Sequence, residues 1–176
     1  MGFLFKTARL CIRPWTLADR PALARMAGDP EMMRFITRGR IWSDDEVDEM
    51  LERQARQLQQ YGICFGAASL ADSGEVVGLV GLQPHDDGQF ELGWWIWKAH
   101  WGQGLATEAI QPFIDHARDV MRLTRLVAVI DPPNAASRRV AEKLGMRFEC
   151  IKSARETVAR REDIPIAYYG LSLATV

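Results

Sequence analysis

The chain has 176 residues, a net charge of -1, and ordinary apolar and charged fractions of 48% and 26%. This length suits one domain over 1–176 with a sizeable core, and the balanced charge gives no signal for a nucleic-acid partner. The three cysteines are widely spaced and form no Cys/His cluster, so we expect reduced thiols and neither a zinc site nor a disulfide framework. The sequence has no signal-peptide pattern and no apolar run long enough to span a membrane, so it predicts a cytoplasmic protein with no membrane partner.

The N-terminal half predicts antiparallel strands and two capped helices. Thr16 is placed to cap a helix near 18–27. Ser43 and Glu46 form a capping box at the start of a longer helix, which Gly62 ends. Alternating apolar and polar side chains predict a strand at 8–15, and turn residues at 72–74 and 85–88 separate further strands near 63–70, 75–82 and 89–97.

The order of elements changes in the C-terminal half. A glycine-rich turn at 102–104 leads into a helix near 104–120, and an apolar, β-branched run follows at 124–130. Strand, turn, helix and strand in this order imply a right-handed parallel crossover. The remaining elements are a helix near 134–144 and strands near 146–153 and 165–173.

The turn between strand 89–97 and the next helix is the most informative part of the sequence. A helix N-terminus exposes unpaired N–H groups, and glycines let a phosphate approach them closely, so the turn is a candidate diphosphate cradle. An ordinary structural turn and a Rossmann dinucleotide site are the alternatives. The Rossmann pattern is incomplete, because Thr107 stands where its third glycine is needed and the chain offers one βαβ unit. A P-loop is excluded by the missing Gly-Lys-Ser/Thr.

Two blocks carry a family resemblance. Residues 101–109 read Trp-Gly-Gln-Gly-Leu-Ala-Thr-Glu-Ala, which resembles the acetyl-CoA motif of the GNAT superfamily, Q/R-x-x-G-x-G/A. Trp101 replaces the usual Gln or Arg, a replacement familiar in the RimJ/RimL-like branch of ribosomal-protein N-terminal acetyltransferases. Residues 134–146 resemble a second block of that branch, N-x-x-S-x-x-V/L-x-E-K-x-G-F/M, and 8–14 resemble its first strand.

The resemblance implies an α/β (α+β) fold of the GNAT type. Its mixed, mostly antiparallel sheet has seven strands and about four flanking helices, with a V-shaped split between strands 4 and 5, here 89–97 and 124–130. It implies acetyl-CoA as co-substrate, a primary amine as acceptor, no metal, and a monomer or homodimer.

The resemblance also assigns the cofactor contacts. The pantetheine arm pairs with backbone atoms on the strand before the turn, which here are those of Trp95, Ile96 and Trp97. The diphosphate rests on the amides of Gly102, Gln103, Gly104, Leu105, Ala106 and Thr107. Asn134 hydrogen-bonds the pantetheine, or is a plain helix N-cap, or does both.

The resemblance assigns fewer catalytic residues than cofactor contacts. The tyrosine that many relatives use to protonate the thiolate is replaced by Ala141, and Ser137 stands at the position proposed for this role in the ribosomal branch. The alternative is that Ser137 merely faces the first helical turn. Glu91 is a candidate general base on the strand beside the cleft, and ordered water is another. Three further titratable residues are nearby in sequence: His85, Asp86 and His100. We expect all four side chains to be surface groups rather than bases.

The acceptor is the least determined part. Phe35 and Trp42, with Trp15, either line the acceptor pocket or pack as ordinary core residues. The charged stretch 155–163 shapes acceptor choice and contacts a second subunit in relatives, or is a solvated hairpin tip. The branch favours a protein N-terminal amine, and the alternatives are a polyamine, an aminoglycoside or an amino-acid-like metabolite. The missing tyrosine at Ala141 keeps a non-catalytic acyl-CoA-binding sensor as the rival from another class.

Overall fold

The structure is a computed structural model that describes residues 2–85, 87–153 and 164–173. Asp86 and the charged stretch 155–163 therefore lie outside the described residues. The described strands are β1 Phe5–Lys6, β2 Leu10–Arg13, β3 Phe65–Leu70, β4 Val76–Pro84, β5 Phe90–Ile96, β6 Arg125–Ile130, β7 Arg147–Ser153 and β8 Pro165–Ser172. The described α-helices are α1 Arg20–Ala27, α2 Pro30–Met33, α3 Asp44–Tyr61, α4 Leu105–Asp119 and α5 Ala135–Lys143.

The sheet has the strand order β1-β2-β3-β4-β5-β6-β8-β7, with β5 and β6 parallel. The predicted mixed, mostly antiparallel sheet is confirmed, but it has eight described strands where seven were expected. The additional strand is β1, whose two residues pair with β2 and are too few to show an alternating pattern. The described helices number five rather than about four, because Asp29 caps the four-residue α2.

Helix boundaries follow their local capping signals. At the start of α3, the Ser43 Oγ accepts a hydrogen bond from the Glu46 N–H at 3.2 Å, and a Glu46 carboxylate oxygen accepts one from the Ser43 N–H at 2.9 Å. Gly62 ends the helix with φ of 71°, in the left-handed region that favours glycine. The capping box and the glycine stop predicted from the sequence are both present.

Two compact units make up the chain. The first comprises Met1–Gly81 and Trp94–Ile110, and the second comprises Leu82–Gly93 and Gln111–Val176. The described cysteines are free thiols, and burial raises the pKa of Cys64 to about 12. None of the described helices combines the length and the apolar character that crossing a bilayer requires.

The core of the first unit joins its helices to β3 and β4. Side chains from α1, α2 and α3 are buried together with Phe65 and Leu79. Four tryptophans are partly buried against this same cluster: Trp15, Trp42, Trp95 and Trp97. The tryptophans at the end of β5 therefore pack against the core of the first unit.

The second unit contains the parallel crossover and the C-terminal ladder. In the parallel ladder, the register joins Glu91 of β5 to Val127 of β6. The antiparallel ladder of β6 and β8 is much longer, running from Arg125 opposite Ser172 to Ile130 opposite Ala167. A short parallel contact is what a splayed strand pair requires.

Asp19 joins β2 to the first helical segment. Its buried carboxylate accepts two hydrogen bonds from the Arg13 guanidinium, at 2.6 and 2.9 Å, and one from the Thr16 N–H at 2.8 Å. Thr16 and Asp19 form a capping box on a short 3-10 turn, so α1 begins at Arg20 and not near residue 18. Burial raises the pKa of Asp19, but the hydrogen bonds from Arg13 and Thr16 outweigh that effect and hold the pKa below its ordinary value.

Replacing this carboxylate tests its contribution to stability. We expect Asp19→Asn to lower the free energy of unfolding at pH 7 by about 1.5–3 kcal/mol, the range for hydrogen bonds to charged groups. Because the folded-state pKa lies below the unfolded value, the stabilisation is present above about pH 4 and is lost as the pH falls through the folded-state pKa. Denaturant unfolding at pH 7, 4 and 2.5 should therefore show the two proteins converging in acid. Asp72→Asn, at an exposed turn position, is the control, and a difference that stays constant with pH would contradict the assignment.

Candidate functional site

The glycine turn lies in the first unit, between β5 and α4. A 3-10 turn, Lys98–His100, follows the strand, and Gly102 and Gly104 then adopt φ of 75° and 78°. Glycine is required there because other residues rarely adopt this conformation. A side chain built on Gly102 would meet no atom within 4 Å, so the surface in front of the turn is open.

The start of α4 presents the donors that an anion needs. The Glu108 N–H closes the first helical bond, to the Gly104 carbonyl at 3.1 Å. The N–H groups of residues 105–107 lie in the first turn, where an α-helix offers no preceding helical carbonyl to accept their hydrogen bonds. The positive end of the helix dipole lies at the same place. Glycine geometry, helix-start amides and open space together fit a diphosphate.

Trp101 ties the turn to the end of β5. The residue is about half exposed, at 49%, yet its indole Nε1–H donates to the Ile96 carbonyl at 2.6 Å. Sequence reasoning identified Trp101 as a departure from the usual Gln or Arg. The structure shows that this tryptophan also supplies a side-chain N–H donor, as Gln and Arg can.

The backbone of β5 divides its donors between two edges. The Trp97 N–H donates to the Val77 carbonyl in β4 at 2.7 Å, so this group serves the sheet. Successive residues of a strand direct their N–H and C=O groups to opposite edges. The N–H of Ile96 therefore faces the edge of β5 away from β4.

The predicted acceptor residues lie in the first unit. The Trp42 and Trp95 rings pack at a tilt of 59°, with centroids 5.3 Å apart. Phe35 is half-buried, and the Arg34 guanidinium lies over its ring at 5.1 Å. The Trp15 Nε1 is buried and has no hydrogen-bond partner in the part of the chain that the structure describes.

Glu91 belongs to the second unit and is buried, so the expectation of a surface group is wrong for it. Its carboxylate accepts a hydrogen bond from the Gln83 side chain at 2.8 Å. Gln83 lies on β4, so the neighbouring strand fixes the orientation of the carboxylate. A buried carboxylate held in one orientation suits proton transfer better than a mobile surface group does.

His85 is also buried, which corrects the same expectation. Its Nδ1 lies 2.9 Å from the Asp87 carboxylate, and the Tyr168 hydroxyl donates to the other oxygen of that carboxylate. The His85 backbone N–H donates to the Gln89 carbonyl at 2.8 Å and closes the hairpin between β4 and β5. Burial raises the pKa of Asp87, but hydrogen bonds from Tyr168 and His85 hold it below the ordinary value. His100 is half-buried in the 3-10 turn.

Asn134 and Ser137 meet at the start of α5, also in the second unit. The Asn134 Oδ1 accepts a hydrogen bond from the Ser137 N–H at 3.1 Å, so the N-cap role is present. This cap does not use the Nδ2 donors of the amide. Ser137 is half-buried at the third position of the helix, and Ala141 is fully buried one turn later.

The predicted residues thus form groups within each unit. Those of the strand end, the turn, Phe35 and Trp42 are in the first unit, whereas Glu91, Asn134 and Ser137 are in the second. Sequence reasoning missed the contacts that hold the turn, made by Thr7 and Arg9 to Glu108. Residues about a hundred positions apart give no local signal of such contacts.

Comparison with known proteins identifies a family. The acetyltransferase (GNAT) domain family matches residues 9–147. The uncharacterized protein YkkB of Bacillus subtilis is 30% identical over 167 residues, which cover 93% of this chain and 92% of YkkB. The crystal structure of an acetyltransferase from Agrobacterium tumefaciens superposes with a TM-score of 0.81 and 25% identity, over 97% of this chain and 95% of that one. RimL, the ribosomal L7/L12 alpha-N-protein acetyltransferase, in complex with coenzyme A, shares the fold at a TM-score of 0.78 and 16% identity, over 97% and 98% of the two chains.

The Trp101 contact predicts a change in coenzyme A binding. Trp101→Phe keeps an aromatic ring but removes the N–H that bonds the Ile96 carbonyl. We expect about fivefold weaker binding of coenzyme A by calorimetry, the equivalent of one hydrogen bond, because the turn loses its tie to β5. Trp101→Gln restores a side-chain donor and should bind within about twofold of the wild type. Equal affinities for the Phe variant and the wild type would show that the tie does not order the turn.

Proposed function

The chain belongs to the GNAT acetyltransferase family and is an acetyl-CoA-dependent N-acetyltransferase, and we propose that 1–176 act as one catalytic domain that acetylates a protein N-terminal amine by direct attack. The observation that carries the proposal is the glycine turn at the start of α4, with left-handed Gly102 and Gly104 and open space before Gly102. The branch motif at 101–109 and the fold shared with RimL support a protein amine as acceptor.

The turn and the strand end would hold the co-substrate. Acetyl-CoA supplies an acetyl thioester, which an amine nitrogen attacks with release of the thiolate. In our proposal the amides from Gly102 to Thr107 hold its diphosphate, and the β5 edge formed by Trp95, Ile96 and Trp97 lines its arm. The Ile96 N–H is the donor on the outward edge, so it is our candidate for polarising the thioester carbonyl. The Asn134 Nδ2 would donate to the arm while its Oδ1 keeps the cap.

Two side chains would move the protons. An α-amine has a pKa of about 8, so it must lose a proton to attack at neutral pH. We assign Glu91 as the acceptor of that proton, because its carboxylate is buried and held by Gln83. Ser137 Oγ would donate a proton to the departing sulfur. Phe35 and Trp42 would border the acceptor, with the Trp42 ring held in place by Trp95.

A panel of amines tests the acceptor class. We expect thiol release from acetyl-CoA in the presence of peptides with a free N-terminus, and mass spectrometry should find the acetyl group on the α-amine. The same peptides with a blocked N-terminus but a free lysine are the matched control and should remain unmodified. Acetylation of a polyamine, an aminoglycoside or a free amino acid in preference to every peptide would overturn the protein acceptor. Binding of coenzyme A without release on any amine would overturn catalysis itself.

Removing the Ser137 hydroxyl tests the proton donor. Ser137→Ala keeps the backbone N–H that the Asn134 cap needs, so the helix start should survive. We expect kcat to fall by about a hundredfold with little change in KM for acetyl-CoA, as for the loss of a general acid. Ser172→Ala, at an exposed position on β8, is the control. Unchanged turnover at saturating acetyl-CoA would remove Ser137 from the mechanism.

A further inference from the structure

The carboxylate of Glu108 joins α4 to the start of the chain. Glu108 is the fourth residue of the helix, and its Oε1 accepts hydrogen bonds from the Thr7 hydroxyl at 2.6 Å and the Arg9 N–H at 2.9 Å. Its Oε2 accepts another from the Arg9 Nε at 2.7 Å. The short connection between β1 and β2 thus bonds the first turn of α4 through the side chains of Thr7 and Arg9 and through the Arg9 backbone N–H. All of these residues belong to the first unit.

The Arg9 guanidinium also bonds the glycine turn. While Nε and Nη2 face Glu108, the Nη1 donates to the Gln103 carbonyl at 3.0 Å. Nη2 also lies 3.8 Å from the position that a Cβ on Gly104 would take. One planar side chain therefore fixes the turn and the helix start relative to each other, a task that suits the rigid fork of arginine better than lysine.

The charge of Glu108 gives Arg9 a second task. Burial raises the pKa of Glu108, but hydrogen bonds from Thr7 and Arg9 hold it below the ordinary value, so the carboxylate is ionised at neutral pH. An anion in the first turn of a helix is stabilised by the helix dipole, but it repels a diphosphate bound to the same amides. The Arg9 cation, 2.6 Å away, offsets that negative charge.

We infer that Arg9, supported by Thr7, is a positioning residue for the diphosphate of acetyl-CoA, acting through the Gln103 carbonyl and the Glu108 carboxylate. This inference rests on the proposed function, because it concerns the same co-substrate site. Arg9 aligns the amides of residues 102–107 and cancels the charge of Glu108, and it has no part in the chemistry at the thioester. The loss of the Arg9 side chain should therefore affect the reaction only with acetyl donors that carry a diphosphate.

Two acetyl donors separate this role from a general loss of structure. S-Acetylpantetheine carries the same thioester and arm as acetyl-CoA but lacks the diphosphate and the nucleotide. We expect Arg9→Ala to lower kcat/KM for acetyl-CoA by about 10-fold to 100-fold, mainly through KM, the range for charged hydrogen bonds. With S-acetylpantetheine, kcat/KM should stay within about twofold of the wild type. The dissociation constant of coenzyme A, measured by calorimetry, should rise by the same factor and needs no turnover.

Matched variants sharpen the test. Arg9→Lys should recover little, because one ammonium cannot replace the guanidinium contacts of Nη1 to the Gln103 carbonyl and of Nε and Nη2 to the Glu108 Oε2. In the Arg9→Ala variant no guanidinium offsets the negative charge of Glu108. Adding Glu108→Gln removes that charge, so the double variant should bind coenzyme A more tightly than Arg9→Ala alone. Arg56→Ala is the control, since Arg56 is an exposed arginine of α3 in an ion pair with Glu52 at 3.5 Å.

Distinct outcomes overturn the inference and the proposed function. Wild-type protein that uses acetyl-CoA, with an Arg9→Ala variant that is unaffected or equally impaired with both donors, contradicts the positioning role alone. A coenzyme A dissociation constant that Arg9→Ala leaves unchanged does the same. Wild-type protein that neither binds coenzyme A nor uses either donor contradicts the proposed function.

Discussion

The first turn of α4 is the constraint on which the geometry of the glycine turn depends. A helix cannot pair its first amides with itself, so these groups must be left for water or given to a ligand. The chain keeps them available by entering the helix through two left-handed glycines and by holding the turn from outside. The Trp101 indole bonds the end of β5 on one side, and Arg9 bonds the Gln103 carbonyl on the other. An anion-binding site formed by backbone amides becomes specific only when such side chains fix the positions of those amides.

Polar burial in the second unit follows a different logic. Glu91 is held by Gln83, whereas His85 is linked through Asp87 to Tyr168. Buried polar groups are costly unless they are paired, and each pair links two segments of the fold. The Tyr168 pair also shifts the pKa of the tyrosine upward, through burial and through its hydrogen bond to Asp87, so the hydroxyl remains a donor at neutral pH. These hydrogen bonds therefore hold the buried side chains in fixed orientations.

Local signals predicted most of the fold, and long-range contacts explain what they missed. The Ser43 capping box, the Gly62 stop and the glycine turn are encoded within a few residues, so sequence reasoning found them. Strand β1 is too short to show a period, and it exists because β2 pairs with it. The burial of Glu91 and His85 depends on neighbouring strands, and the contact from Arg9 to Glu108 spans 99 positions. Side chains that are polar by composition look like surface groups until their partners are known.

The tryptophan at position 101 has a consequence for how such sites are recognised in new genomes. Glutamine, arginine and tryptophan differ in size, charge and aromaticity, so substitution tables treat their exchange as a loss. All three carry a side-chain N–H, and here that group reaches the last carbonyl of the preceding strand. Searches that score this position by donor capacity rather than by letter would retain divergent members that a consensus pattern discards.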